Sequence, residues 1–77
     1  MDSSLVSLQV GRKAKVKRIV GGLGFQRKMA LLNLRIGKVV RKITQQPFMG
    51  PVVIEIDNTR VTIGRGMANR IIVEMIE

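Results

Sequence analysis

Gly21-Gly22-Leu23-Gly24-Phe25-Gln26-Arg27-Lys28-Met29-Ala30-Leu31-Leu32-Asn33-Leu34-Arg35-Ile36-Gly37 is the one long segment of the 77-residue chain that reads as helix, and strand-like sequence lies on both sides of it. Gly21, Gly22 and Gly24 permit a tight exit from a preceding strand. Phe25, Met29 and Leu32 then fall at i, i+4 and i+7, so one helix face can lie against a sheet. Asn33 is expected to close the helix, because asparagine follows glycine in tolerance of the left-handed backbone just past a helix end. Gly37 opens the turn into the next strand.

Before this segment, Lys13-Ala14-Lys15-Val16-Lys17 alternates strictly, with Ala14 and Val16 on one face and three lysines on the other. It reads as a half-buried strand continuing to Val20, with outer lysines that would protect it at a sheet edge. Further upstream, Asp2, Ser3 or Ser4 is placed to cap a single turn carrying Leu5 and Leu8. After the helix, Lys38 to Thr44 reads as a second strand with Val39, Val40 and Ile43, its facing left open by the poor period. Two prolines and a glycine make Gln45 to Pro51 a loop. At its tip Phe48 and Met49 either plug the barrel end or anchor a partner, and plugging is the expected outcome. Val52, Ile54 and Ile56 mark a third strand, Asp57-Asn58 a tight hairpin turn, and Val61 and Ile63 a fourth strand. Gly64 to Ala68 reads as one helical turn with Met67 in the core, and Ile71 to Met75 as the last strand. The chain is thus expected to form one domain over residues 1–77, mainly β, with about five strands and one short α-helix inserted after the first strand. That inventory points to a small SH3-like or OB-like barrel.

Composition narrows the chemistry. The chain has neither cysteine nor histidine, which removes disulfides, thiolate ligands, the commonest general base and the commonest transition-metal ligand. Five carboxylates remain, Asp2, Glu55, Asp57, Glu74 and Glu77. No catalytic group and no metal ligand set is therefore assigned. Glu55 and Asp57, two apart on one strand, would at most contribute to a hard-cation site, and exposed strand carboxylates are far commoner. The segment Gly21 to Lys28 lacks the spacing of a phosphate-binding loop, and Met29 stands where Ser or Thr would follow the lysine. A net charge of +9 calls for an anionic partner: nucleic acid, an acidic protein face or an anionic membrane surface. No apolar run approaches the roughly 20 residues of a spanning helix. The segment Met1 to Leu5 lacks the features of a signal peptide, so a cytoplasmic location is expected.

Taken in order, these residues resemble the ferrous-iron transport protein A (FeoA) family over nearly the whole chain. The resemblance is carried by Leu5, Leu8 and Gly11, then Ala14, Val16 and Ile19. It continues with Gly21-Gly22 and the basic helix with Arg27, Met29 and Leu32, Gly37, and the loop Pro47, Gly50, Pro51. It ends with Val52 to Ile56, Val61 to Ala68, Ile71 and Val73. Asn33 and Gly64 depart from the family pattern, which usually has glycine at the first and a charged residue at the second. The resemblance implies an SH3-like barrel serving ferrous iron uptake, without catalysis or a cofactor of its own. Its implied partner is FeoB, a membrane permease with a cytoplasmic G domain, and Fe2+ would be met only through that transport partner. A similar module closes iron-dependent repressors, where it follows a helical DNA-binding domain absent from this chain.

The candidate partner-binding residues are Arg27, Lys28, Leu31, Leu34, Arg35 and Lys38. Arg27 and Lys28 are expected in the first helical turn, beside the positive end of the helix dipole, at a cost of roughly 0.3–1 kcal/mol per charge. They are read as a solvated face or as an anion-seeking patch completed by Arg35 or Lys38. Leu31 and Leu34 point away from the Phe25-Met29-Leu32 face of a regular helix. They either tuck under the following loop or form an exposed apolar contact bordered by cations. The rival to an accessory protein of iron uptake is a nucleic-acid-binding barrel using the +9 charge. Against it, the chain has no Tyr or Trp, and stacking platforms reduce to Phe25 and Phe48. No nucleic acid is expected among the partners.

Overall fold

The computed structural model describes residues 2–76. Its elements are β1 (Asp2–Ser4), β2 (Lys13–Ile19), α1 (Leu23–Leu31), β3 (Val39–Gln45), β4 (Val52–Ile56), β5 (Thr59–Ile63), α2 (Arg65–Ala68) and β6 (Ile71–Met75). The six strands form one antiparallel sheet in the order β1-β6-β2-β3-β4-β5. Strands β1 and β5 are its two ends and do not pair, so the barrel stays open along one seam. Principal extents of 28, 26 and 24 Å leave no flat dimension, as a curled sheet around one core requires.

That core follows the alternation of the strands. Ala14 and Val16 from β2, Val40 from β3, Val52, Ile54 and Ile56 from β4, Ile63 from β5, and Ile71 and Val73 from β6 are all buried. Leu5, Leu8, Met29, Leu34 and Ala68 close it from the connecting segments. The Asp57-Asn58 turn has φ of 51° and 63°, the double left-handed conformation that matches the twist of a two-residue hairpin. Met67 packs partly buried against the core, as read from the sequence.

Three features differ from the sequence reading. A sixth strand, β1, pairs with β6 in the register Asp2↔Glu74 and Ser4↔Ile72. Its polar residues carry no alternation, so only backbone pairing reveals it. The expected cap is present as well: the Ser7 N–H donates to Ser4 Oγ at 3.3 Å and the Leu8 N–H to the Ser4 carbonyl at 3.1 Å. Secondly, β2 lies between β6 and β3, so the edge position at which its lysines would have been protective does not arise. Its lysines therefore decorate the outer face of the sheet and have no edge to guard. Thirdly, Phe48 and Met49 do not plug the barrel: they are 98% and 77% exposed. Both have positive φ, 57° and 66°, and the Gly50 N–H returns to the Pro47 carbonyl at 3.3 Å. A two-residue turn this tight leaves no backbone with which to fold its side chains inward.

The open facing of β3 resolves in an unexpected direction. Val40 and Lys42 face inward and Val39 outward, with a register shift between Lys42 and Thr44. Lys42 has no exposed surface. Its Nζ donates to the carbonyls of Val6 at 2.8 Å and Leu8 at 2.7 Å, and to Gln45 Oε1. A buried ammonium is tolerated only when its donors are engaged, and here three acceptors converge on it. Burial, and secondarily the Arg65 guanidinium, hold the Lys42 ammonium below the ordinary lysine range.

Candidate docking surface

The exit of α1 organises the surface around it. The helix ends at Leu31, and Asn33 takes φ 67°. The Asn33 N–H donates to the Ala30 carbonyl at 2.9 Å and the Leu34 N–H to the Met29 carbonyl at 2.9 Å. This pair of bonds is a Schellman closure, whose usual companion is an apolar contact between the residues at the positions of Leu34 and Met29. Both are fully buried.

The two leucines therefore part company. Leu34 belongs to the core, and its place in a partner-binding contact is withdrawn: the reversal at Asn33 swings it inward. Leu31, the last residue of the regular helix, is 87% exposed. Arg27 and Lys28 precede it by four and three residues and so share its face. Both cations are exposed, but neither stands in the first turn as expected. The helix begins at Leu23, which puts Arg27 past the first turn and Lys28 in the last. There the carbonyl-rich helix end favours a cation instead of opposing it.

Beside Leu31 lies a groove of about 300 Å³, lined by Leu31, Leu32, Asn33, Ile56, Asp57, Thr59 and Val61. It runs between the end of α1 and the β4–β5 hairpin. Its rim is fixed by Asp57, whose Oδ2 accepts from Lys38 Nζ at 2.7 Å and from Asn33 Nδ2. Lys38 is thus a rim residue engaged with the protein's own carboxylate. Arg35 is exposed on the far side of the Asn33 reversal, where it lines a second depression with Ile19, Gln26, Ala30, Leu34 and Ile36. The structure thus gathers Arg27, Lys28 and Leu31 on one helix face, places Lys38 at the groove rim, and sets Arg35 apart.

Phe25 is half-buried, with the Arg70 guanidinium 5.2 Å from its ring centroid. A Cβ on Gly21 would lie 2.8 Å from Phe25 Cδ2, so the ring packs over a residue that has to lack a side chain. This anchors the start of α1 as the Asn33 closure anchors its end.

Of the carboxylates, Glu77 lies outside the described residues. Among the described residues no group of three or more ligating side chains comes together. Glu55 and Asp57 share a depression, but it also carries Lys13 and Arg41, a charge balance unlike that of a cation site. No described helix is long and apolar enough to cross a membrane.

The FeoA domain model matches residues 3–75. The chain is 34% identical over 67 residues to a protein of Methanocaldococcus jannaschii provisionally named Fe(2+) transport protein A, covering 87% of this chain and 79% of that one. It is similar to a crystal structure of an iron uptake regulatory protein (FeoA), with TM-score 0.90, 29% identity and 99% of both chains covered. A manganese-dependent transcriptional repressor superposes with TM-score 0.88 at 22% identity over 97% of this chain and 42% of its own, which shows a shared fold. With the small SH3-like β architecture, the closed helix and the nearly full-length match together, the chain belongs to the FeoA domain family, associated with ferrous iron transport.

Proposed function

We propose that this chain is a non-catalytic, cytoplasmic accessory protein of ferrous iron uptake that docks on the cytoplasmic part of a FeoB-type membrane permease and regulates it. The observation that carries the reading is Leu31: an apolar side chain 87% exposed at the end of a helix that also presents Arg27 and Lys28, beside an apolar groove. Exposed leucine bordered by cations and set against a preformed groove has the composition of a protein contact. The cations supply steering toward an acidic face, and the net charge of +9 extends that attraction to an anionic membrane surface near the permease. With neither histidine nor cysteine in the sequence, iron passes through the transporter and this protein acts by contact.

Calorimetry with the permease's cytoplasmic G domain tests the reading. Binding that weakens with added salt, drops about tenfold or more in Leu31→Glu, and weakens again in the Arg27→Glu/Lys28→Glu pair supports it. Absence of binding by the wild-type chain, or full binding by Leu31→Glu, would overturn it.

A further inference from the structure

The groove beside Leu31 is bounded on one side by strand β5, through Thr59 and Val61. Strand β5 is an end strand of the sheet, paired on one side only, to β4. The register Ile56↔Thr59, Glu55↔Arg60, Ile54↔Val61 and Val53↔Thr62 runs without a shift from the two-residue Asp57-Asn58 turn. In such a hairpin the pair flanking the turn exchanges both backbone bonds, and bonded and non-bonded pairs then alternate. Thr59, Val61 and Ile63 therefore spend their backbone groups on β4. Arg60 and Thr62 aim their N–H and C=O groups outward, away from the sheet. Among the described residues, neither takes part in a backbone bond outside β5's pairing with β4. Of the usual protection this edge carries one charged side chain, Arg60, and neither a proline nor a bulge.

The same register decides what a strand laid against this edge would meet. Thr59 and Val61 share the inner face with buried Ile54 and Ile56, and both line the groove with Leu31 and Leu32. Every second side chain of an added strand would enter that groove, while the alternate ones would stand on the outer face beside Arg60. The outer face is cationic there, since the row that crosses β3, β4 and β5 reads Arg41, Glu55, Arg60. We propose that the β5 edge of this protein binds an extended segment of a partner protein by strand addition, and that the segment alternates apolar residues, which fill the groove, with acidic residues, which face Arg60.

Charge complementarity selects this occupant over a second copy of the chain. Two-fold pairing of β5 on itself would join two molecules that each carry a net charge of +9, with no acidic residue on β5 to answer Arg60. The proposal deepens the docking reading by giving the backbone form and side-chain pattern of the segment received. It is tested on the chain alone, so its failure is separable from the failure of permease binding.

The probe is an acetylated and amidated octapeptide alternating glutamate and valine, titrated into 15N-labelled protein. Expected results are new exchange protection confined to the Arg60 and Thr62 amides, shifts at Leu31 and Val61, and affinity that falls with salt. Proline is tolerated at an end-strand position whose N–H faces solvent, so Thr62→Pro should keep the wild-type spectrum elsewhere and lose about tenfold or more in affinity. Should that variant fail to fold, the octapeptide N-methylated at alternate residues serves instead, and its affinity should fall likewise. Peptide binding without protection at Arg60 and Thr62, equal affinity for the N-methylated peptide, or no binding at all would overturn the proposal. So would concentration-dependent protection of the same two amides without peptide, which would give the edge to a second copy. A permease domain that binds Thr62→Pro at full strength would overturn the edge assignment and leave the docking reading standing.

Discussion

Lys42 Nζ donates to the Leu8 carbonyl oxygen at 2.7 Å from a side chain with no exposed surface, tying the middle of β3 to the turn that follows β1. Replacing it by the similarly shaped Lys42→Met leaves the Val6 and Leu8 carbonyls without that donor. The expected loss is about 2 kcal/mol, from acceptors left unsatisfied against the saving of a buried charge. Urea denaturation read by circular dichroism measures it; unchanged stability would mean that water reaches both carbonyls.

The same lysine gives a pH dependence on the alkaline side. Its folded-state pKa is lowered by burial and then by Arg65. Between that lowered value and the ordinary lysine value of about 10.4, the unfolded chain binds more protons than the folded one at this site. The Lys42 contribution to stability therefore rises with pH across that window and is flat below it. The difference in stability between wild type and Lys42→Met, followed over pH, isolates this rise from that of the other lysines.

Leu31 and Leu34 should respond oppositely to truncation. Leu34→Ala removes a fully buried side chain and should cost about 2–5 kcal/mol. Leu31→Ala, at an 87% exposed position, should stay within about 0.5 kcal/mol of wild type. Thermal unfolding of the two variants side by side checks the pair, and equal losses would contradict the Asn33 reversal.

Phe48 is held at φ 57° with its ring in solvent. Phe48→Gly relieves a left-handed conformation that disfavours a side chain by roughly 1–2 kcal/mol, offset by the greater freedom of glycine in the unfolded chain. Stability should therefore hold or rise by up to about 1 kcal/mol. A drop of about 3 kcal/mol or more in the thermal midpoint analysis would show the ring to be packed after all.

Much of this architecture is written in local pattern. The alternation of Ala14 and Val16, and of Val52, Ile54 and Ile56, places both strands and their inner faces. Asp57-Asn58 announces its hairpin, and Asn33 its helix closure. The same closure held the fate of Leu34: the second residue beyond a helix end packs back on the last turn, and that rule separates it from Leu31. What stayed hidden depends on partners distant in sequence. Strand β1 exists because β6 is there to pair with it, and its own residues, Asp2, Ser3 and Ser4, carry no apolar period. Lys42 has the parity of buried Val40, but a lysine in that slot reads as an interruption until Val6, Leu8 and Gln45 are seen to surround its ammonium. The α1 surface was legible as composition and not as geometry. Arg27 and Lys28 lie further along the helix than the glycines suggested, because the helix already starts at Leu23 and takes Gly24 into its first turn.

Strand β6 sits between β1 and β2 in the sheet although it comes last in the chain. On the ribosome, β1 has no neighbour and one side of β2 stays bare until residues 71–75 have cleared the exit tunnel. Strands β2 to β5 can pair with one another before then, but the sheet cannot be completed, and β2 keeps one unpaired edge, until β6 is available. The lysines of β2, with no edge to guard in the finished sheet, stand on the strand that stays bare through that interval, where charge disfavours edge-to-edge pairing.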